Sequence, residues 1–140
     1  MDIGFLGLAA VLGLAATGSA LGVGTAGQAA VGAWKKCYAQ NKPVPFMLIA
    51  FVGAPLTQTI YGFILMNVMR GSSAPLWTRL GAGIFGGLAI GFSAWYQGKV
   101  SAAASDALAE TGKGTSNYLL AIGLVETIAL FVMVFLMINL

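Results

Sequence analysis

Residues 120–130 read LAIGLVETIAL, an apolar run that is interrupted by a single acid, Glu126. The run belongs to a longer apolar stretch, from about Tyr118 to Leu140, and about 20 such residues cross the hydrocarbon core of a bilayer as a helix. An ionisable side chain at that depth costs roughly 2.5 kcal/mol or more and marks a functional site by default. The stretch therefore predicts a transmembrane helix with a functional carboxylate near its middle.

The whole chain has the composition of a membrane protein. Of its 140 residues, 59% are hydrophobic and 8% are charged, whereas about a quarter of an ordinary soluble domain is charged. The 20 glycines follow no collagen-like period, and small residues let membrane helices pack closely. The seven Lys and Arg residues are scattered between apolar stretches, so they do not form the continuous basic face that would indicate a nucleic-acid partner.

Four apolar stretches are long enough to span a bilayer, and they predict an all-α membrane protein with four transmembrane helices. The predicted helices cover about residues 3–33, 46–69, 76–104 and 118–140. No Lys or Arg precedes the first stretch, which is unlike a secretory signal peptide. We therefore expect the first helix to be retained.

The two halves of the chain are related to each other. Residues 57–60 read TQTI and residues 125–128 read VETI, so that Gln58 falls on Glu126 at an offset of 68 residues. The sequence therefore predicts two related hairpins that run parallel in the membrane, with an acid only in the second. We divide them into residues 1–72 and 73–140.

The distribution of basic residues predicts the orientation in the membrane. Four lysines lie in the linkers 34–45 and 105–117, whereas the linker between the second and third helices and its edge hold Arg70 and Arg79. Basic residues are more frequent in cytoplasmic loops. The linkers 34–45 and 105–117 are therefore predicted to be cytoplasmic, with both termini outside.

Side chains that carry oxygen are predicted at the depth of Glu126. Thr57, Gln58 and Tyr61 lie within one turn of the second helix, and Gln97 lies in the third. Together with the carboxylate they would form an all-oxygen cage for a hard cation, whereas a proton would need only the carboxyl group. Each glutamine taken alone favours a hydrogen bond between helices, whereas the glutamines taken together with Glu126, Thr57 and Tyr61 favour the cage.

Pro55 precedes this group in the second helix. Proline has no N–H to donate, so the carbonyl of Phe51 loses its partner within the helix. The sequence therefore predicts a local break in the backbone at mid-membrane. Other chemistry is not indicated, because the chain contains no histidine and only one cysteine, and we predict no catalytic residue.

These segments resemble a known family. Residues 55–63 (PLTQTIYGF), residues 97–100 (QGKV) and the helix of Glu126 are similar to the rotor-ring proteolipid, called c or K, of V/A-type rotary ATPases. The likeness covers essentially the whole chain and is greatest to the sodium-translocating bacterial branch. It implies that many copies form a c-ring, with the glycine-rich first and third helices on the inside.

The resemblance also implies a role for each polar residue of the site. The implied Na⁺ ligands are one carboxylate, two amides, one hydroxyl and one main-chain carbonyl, which belong to Glu126, Gln58, Gln97, Thr57 and Ala54. Tyr61 would donate a hydrogen bond to the carboxylate. Relatives carry a larger aliphatic residue at the position of Ala54, a change that preserves the carbonyl ligand.

The resemblance implies partners and a location as well. The partners are other copies in the ring, the lipid bilayer, a stator subunit of the a/I type that presents an arginine, and a central-stalk subunit on the cytoplasmic side of a bacterial plasma membrane. ATP would be hydrolysed in a partner sector and not by this chain. Two alternatives stay open: the same rotor protein with H⁺ as its cargo and the glutamines as structural hydrogen bonds, and a small four-helix secondary transporter.

Overall fold

The computed structural model describes residues 3–140, and within them the chain forms α-helices and no strand. The helices are α1 (Gly4–Ala39), α2 (Leu48–Gly53), α3 (Thr57–Gly71), α4 (Leu76–Thr111) and α5 (Thr115–Asn139). A 3₁₀ turn, Ala54–Leu56, joins α2 to α3, so the two form one broken helix of 24 residues. The prediction of an all-α protein is confirmed for the described part of the chain.

Helices α1 and α4 extend beyond the predicted spans because the sequence contains no helix-breaking residue at the membrane surface. α1 continues through two lysines, which are good helix formers, and ends before Asn41, whose φ of 51° closes the turn. α4 continues to Thr111 and ends at Gly112 in the left-handed conformation, the common glycine cap. Most of the two linkers that we expected to be loops is therefore helical.

Three of the helices in residues 3–140 are long and apolar enough to cross a membrane: α1, the broken helix Leu48–Gly71, and α5. α4 has the same length as α1, 36 residues, but it contains more serines and more charged residues, which make it less apolar. At about 1.5 Å per residue each of these two helices is about 54 Å long, well beyond the hydrocarbon thickness of about 30 Å. α4 is not among the helices that are apolar enough to cross a membrane, so four membrane spans stay a prediction.

Helices α1 and α4 run parallel and touch through glycines. A Cβ atom added at Gly18 would overlap the backbone of Gly91, and one added at Gly98 would overlap the backbone of Gly22. Only a residue without a side chain allows the two backbones to approach so closely, which is how small residues associate helices in lipid. The two longest helices therefore form a tight central pair.

Two apolar clusters fill the interior on either side of a polar layer. The cluster nearer the linker 34–45 includes Phe51 and Leu108, and the cluster nearer the chain ends includes Leu65 and Ile90. The polar side chains of α3 and α4 lie between the two clusters. The two apolar clusters therefore separate the polar layer from both ends of the molecule.

The outer faces of α3 and α5 are covered with large apolar side chains. Phe63 on α3 and Leu120, Leu124 and Phe131 on α5 are all exposed. A contiguous apolar surface of this size indicates contact with a membrane or another protein. Together with the length of the apolar helices, it indicates a membrane protein.

The glycine contact between α1 and α4 leads to a first prediction. Gly98→Ala should destabilise the protein by about 1–3 kcal/mol, because the added methyl group overlaps backbone atoms that cannot move aside. The measurement is the thermal midpoint of unfolding in detergent, followed by circular dichroism.

The matched control for this variant is Gly71→Ala. A Cβ atom at Gly71 meets no described atom within 4 Å, so this variant should unfold at the temperature of the unaltered protein. Equal midpoints for the two variants would show that α1 and α4 are not in close contact at Gly98.

Candidate functional site

Glu126 lies in the middle of α5 and accepts hydrogen bonds from two other helices. The Tyr61 hydroxyl of α3 donates to Oε1 at 2.6 Å, and the Gln97 amide of α4 donates to Oε2 at 3.1 Å. Hydrogen bonds to an ionised group are roughly twice as strong as those between neutral groups. The two donors therefore hold the carboxylate in one orientation between α3 and α4.

Two glutamines form the interior side of the site. Gln58 Nε2 donates to Gln97 Oε1 at 2.8 Å, and both side chains are 0% exposed. The Gln97 amide also reaches the main-chain carbonyl of Ile122 at 3.1 Å. Gln97 thus links α3 to α5 and has partners for both ends of its amide group, as a buried polar side chain requires.

The break between α2 and α3 places further oxygens beside Gln58. Thr57 Oγ1 lies 3.0 Å from the carbonyl oxygen of Ala54 and 3.1 Å from Gln58 Oε1. Pro55 stands within the 3₁₀ turn, where its missing N–H changes the backbone hydrogen bonding. The break predicted at this proline is present, and it brings a main-chain carbonyl to the depth of the site.

The site holds one carboxylate among neutral oxygens. Residues 3–140 contain no group of three or more His, Cys, Asp or Glu side chains that could bind a metal ion. Zinc sites use sulfur and nitrogen ligands, and divalent calcium or magnesium sites commonly use more than one carboxylate. A single negative charge surrounded by neutral oxygens suits a monovalent hard cation or a proton.

All six residues predicted for the site are joined in one hydrogen-bonded network. In order along the network they are Ala54, Thr57, Gln58, Gln97, Glu126 and Tyr61. They come from the 3₁₀ turn, α3, α4 and α5. Their assembly at one place is a property of the structure, while their role as ion ligands stays a prediction.

Two contributors to this region were not predicted from the sequence. Ser93 Oγ donates to the carbonyl of Val125 at 2.8 Å, which ties α4 to α5 next to the carboxylate. The carbonyl of Ile122 accepts from Gln97. Ser93 lies one helical turn before Gln97, and that spacing was the available signal, whereas no sequence pattern identifies a carbonyl acceptor.

The side chains of the network become more exposed from the interior of the molecule towards its outer face. Gln58 and Gln97 are fully buried, whereas Glu126 is partly exposed. Its close neighbours on α5 include the exposed apolar residues Leu124 and Ile128. The carboxylate can therefore be approached from the outer face formed by α3 and α5.

Comparison with known proteins bears on the same helices. Residues 80–139 match a protein family described as the C subunit of ATP synthase. The matched segment includes Gln97 and Glu126 and covers somewhat less than half of the chain. None of the curated proteins matches this sequence. The match supports an ion-translocating proteolipid rotor subunit of a rotary ATPase and, with the apolar helices, indicates a membrane protein.

The network leads to a second prediction. Gln97→Ala leaves Gln58, the Ile122 carbonyl and Glu126 each short of a partner, and an unpaired buried polar group costs about 1–3 kcal/mol. The variant should lose at least about 2 kcal/mol of stability, measured by unfolding in detergent.

Gln28→Ala is the matched control, because Gln28 falls on Gln97 at an offset of 69 residues between the halves but is not buried on α1. A change at this position should stay within about 0.5 kcal/mol. If both variants were equally stable, the network around Gln97 would contribute nothing to the fold.

Proposed function

We propose that this chain is the rotor-ring proteolipid of a V/A-type rotary ATPase, and that it carries Na⁺ across the membrane at Glu126. ATP hydrolysis in a partner sector drives the movement. The observation that carries the proposal is the partly exposed carboxylate, which is held at both oxygens and backed by neutral oxygens from two helices. The match of residues 80–139 supports the rotor assignment.

The oxygen ligands favour Na⁺ as the cargo. The carbonyl of Ala54, the Thr57 hydroxyl and Gln58 Oε1 are linked by separations of 3.0 and 3.1 Å, and Gln97 Oε1 adjoins the Gln58 amide. With the carboxylate they supply an all-oxygen ligand set, which suits a hard cation. A proton would use only the carboxyl group and would leave these amides without a function in transport.

Charge balance explains how such a site can move through lipid. An ionised carboxylate alone is costly at bilayer depth, but a bound Na⁺ makes the site neutral. Tyr61 keeps its hydrogen bond to Oε1 in the loaded site, while Oε2 turns to the cation. The empty, charged site is stable only beside a cation, which is the role we assign to the arginine of an a/I-type stator subunit.

The energy per ion explains why a ring is needed. One charge that crosses 100 mV is worth about 2.3 kcal/mol, so several ions must be summed for each ATP. Many copies in one ring provide this sum. We place the α1–α4 pair on the inside of the ring and α3 and α5 on the outside, where Glu126 meets the stator.

The remaining assignments follow from this arrangement. α4 is the third of four membrane spans in chain order, because it runs beside α1 through repeated glycine contacts. The linker regions 34–45 and 105–117 face the cytoplasm and the central-stalk subunit, and both termini lie outside a bacterial plasma membrane. Lys36 and Glu110 form an ion pair at this cytoplasmic end, and the hydrogen bond from Lys36 lowers the pKa of the Glu110 carboxyl.

The same rotor protein with H⁺ as its cargo is the second candidate. One observation favours it: the Gln58 amide donates to the Gln97 amide, so that the glutamines also serve as a structural link between α3 and α4. A small secondary transporter is the third candidate, and the match to a rotor-protein family disfavours it.

Chemical modification of Glu126 distinguishes the two cargoes. A hydrophobic carbodiimide should label Glu126 in the membrane-bound complex, and Na⁺ at neutral pH should slow the labelling strongly, because the bound ion occupies the carboxylate. Choline at the same concentration controls for ionic strength. Labelling that follows pH but is insensitive to Na⁺ would favour H⁺.

Transport by the complete complex tests the carboxylate directly. Glu126→Gln should reduce ATP-driven uptake of radioactive Na⁺ into proteoliposomes to background, because the amide carries no charge to balance the ion. Gln28→Ala changes an exposed side chain of α1 outside the network and should leave uptake near that of the unaltered complex. Full uptake with Glu126→Gln would refute the proposal.

A further inference from the structure

Ser19 on α1 is a buried polar side chain without a partner. It is 3% exposed, and its hydroxyl oxygen has no hydrogen bond within residues 3–140. Buried hydroxyl groups are nearly always paired, so an unpaired one requires an explanation. Its position relative to α3 provides one.

Two contacts define how α1 and α3 are aligned. A Cβ atom at Gly62 would lie 2.6 Å from the Cβ of Ala15, and one at Gly22 would lie 2.8 Å from the Cβ of Pro55. As the position on α1 increases, the position on the facing segment decreases, so the two are antiparallel. The close contacts show that the backbones are separated by little more than small side chains.

Ser19 and Gln58 lie between these contacts and at the same level. Ser19 is four residues after Ala15, and Gln58 is four residues before Gly62. Positions three and four residues apart share a helix face, so both residues lie on the surfaces where α1 and α3 meet. Both are buried, so Ser19 and Gln58 occupy the same level of the contact between α1 and α3.

Gln58 has a donor available for this hydroxyl. A side-chain amide has two N–H hydrogens, and one of them goes to Gln97 Oε1 at 2.8 Å. The second has no acceptor among the described residues. We propose that Ser19 is a positioning residue for Na⁺: when the cation occupies the site, the Ser19 oxygen accepts this second hydrogen and directs Gln58 Oε1 towards the ion.

The contact is needed most when the cation is bound. When Gln97 Oε1 turns to the ion, it becomes a weaker acceptor for the Gln58 amide. The hydrogen bond from Gln58 Nε2 to the Ser19 oxygen then holds that amide in place. The Ser19 hydroxyl can donate to the carbonyl four residues earlier in α1, a common arrangement for serine in helices. When Glu126 is protonated instead, no cation is bound and Gln58 Oε1 does not have to be oriented towards one. This inference rests on the proposed Na⁺ function.

The test compares Na⁺ and H⁺ at the same carboxylate. Ser19→Ala in the membrane-bound complex should raise the Na⁺ concentration that half-protects Glu126 from carbodiimide by about three- to tenfold, as expected for the loss of one buried hydrogen bond. The pH dependence of labelling without Na⁺ should be unchanged. A general loss of structure would change both measurements.

Ser101→Ala is the matched control, because Ser101 is also a buried serine on the central helix pair whose hydroxyl oxygen has no partner within residues 3–140. It should leave both measurements unchanged. If Ser19→Ala does not assemble, Ser19→Cys replaces it; its thiol is similar in size but a weak acceptor, so the Na⁺ requirement should again rise.

The outcomes separate this inference from the proposed function. An unaltered complex that Na⁺ does not protect would overturn both. Protection of the unaltered complex together with an unchanged Na⁺ requirement in Ser19→Ala would overturn the role of Ser19 alone. Equal shifts in Ser19→Ala and Ser101→Ala would also overturn it, because the effect would then come from packing.

Discussion

The structure depends on one constraint, a carboxylate that lies at bilayer depth and must have hydrogen-bond donors from the protein. Glu126 obtains them from Tyr61 and Gln97, which belong to two other helices. Hydrogen bonds weaken steeply outside a narrow range of distance and angle, so both donor helices must be held at a fixed depth and rotation. The packing of the remaining chain holds the helices in the positions that these two hydrogen bonds require.

The glycine contacts between α1 and α4 provide that support. Because the two backbones touch at Gly18 and Gly98, α4 has little freedom to slide or rotate, and Gln97 is held at one depth. Gly62 and Pro55 bring the broken helix equally close to α1. In lipid such contacts replace the hydrophobic effect as the source of helix association, so that the same small residues set both the fold and the geometry of the site.

Much of the site was predictable because its residues are conspicuous in an apolar sequence. A polar side chain in a membrane span needs a hydrogen-bond partner. The two glutamines, Thr57 and Tyr61 could therefore be expected to lie close together. The repeat between the halves indicated two related hairpins, and the position of Pro55 indicated the break in the second helix. The carbonyls of Ile122 and Val125 as acceptors and the shared level of Ser19 and Gln58 were not predictable, because they depend on the rotation of one helix against another.

By itself, the sequence determined the helical class, the approximate positions of the helices and the identity of the residues that meet at Glu126, because hydrophobic length and isolated polar groups are local properties. The helix ends differed, since α1 and α4 continue into the expected loops wherever no residue stops them. Only the tertiary structure decided which atoms pair, how deeply each amide is buried and which hydroxyl lacks a partner. Those features arise from backbone contacts between helices distant in sequence, which no single stretch of the chain specifies.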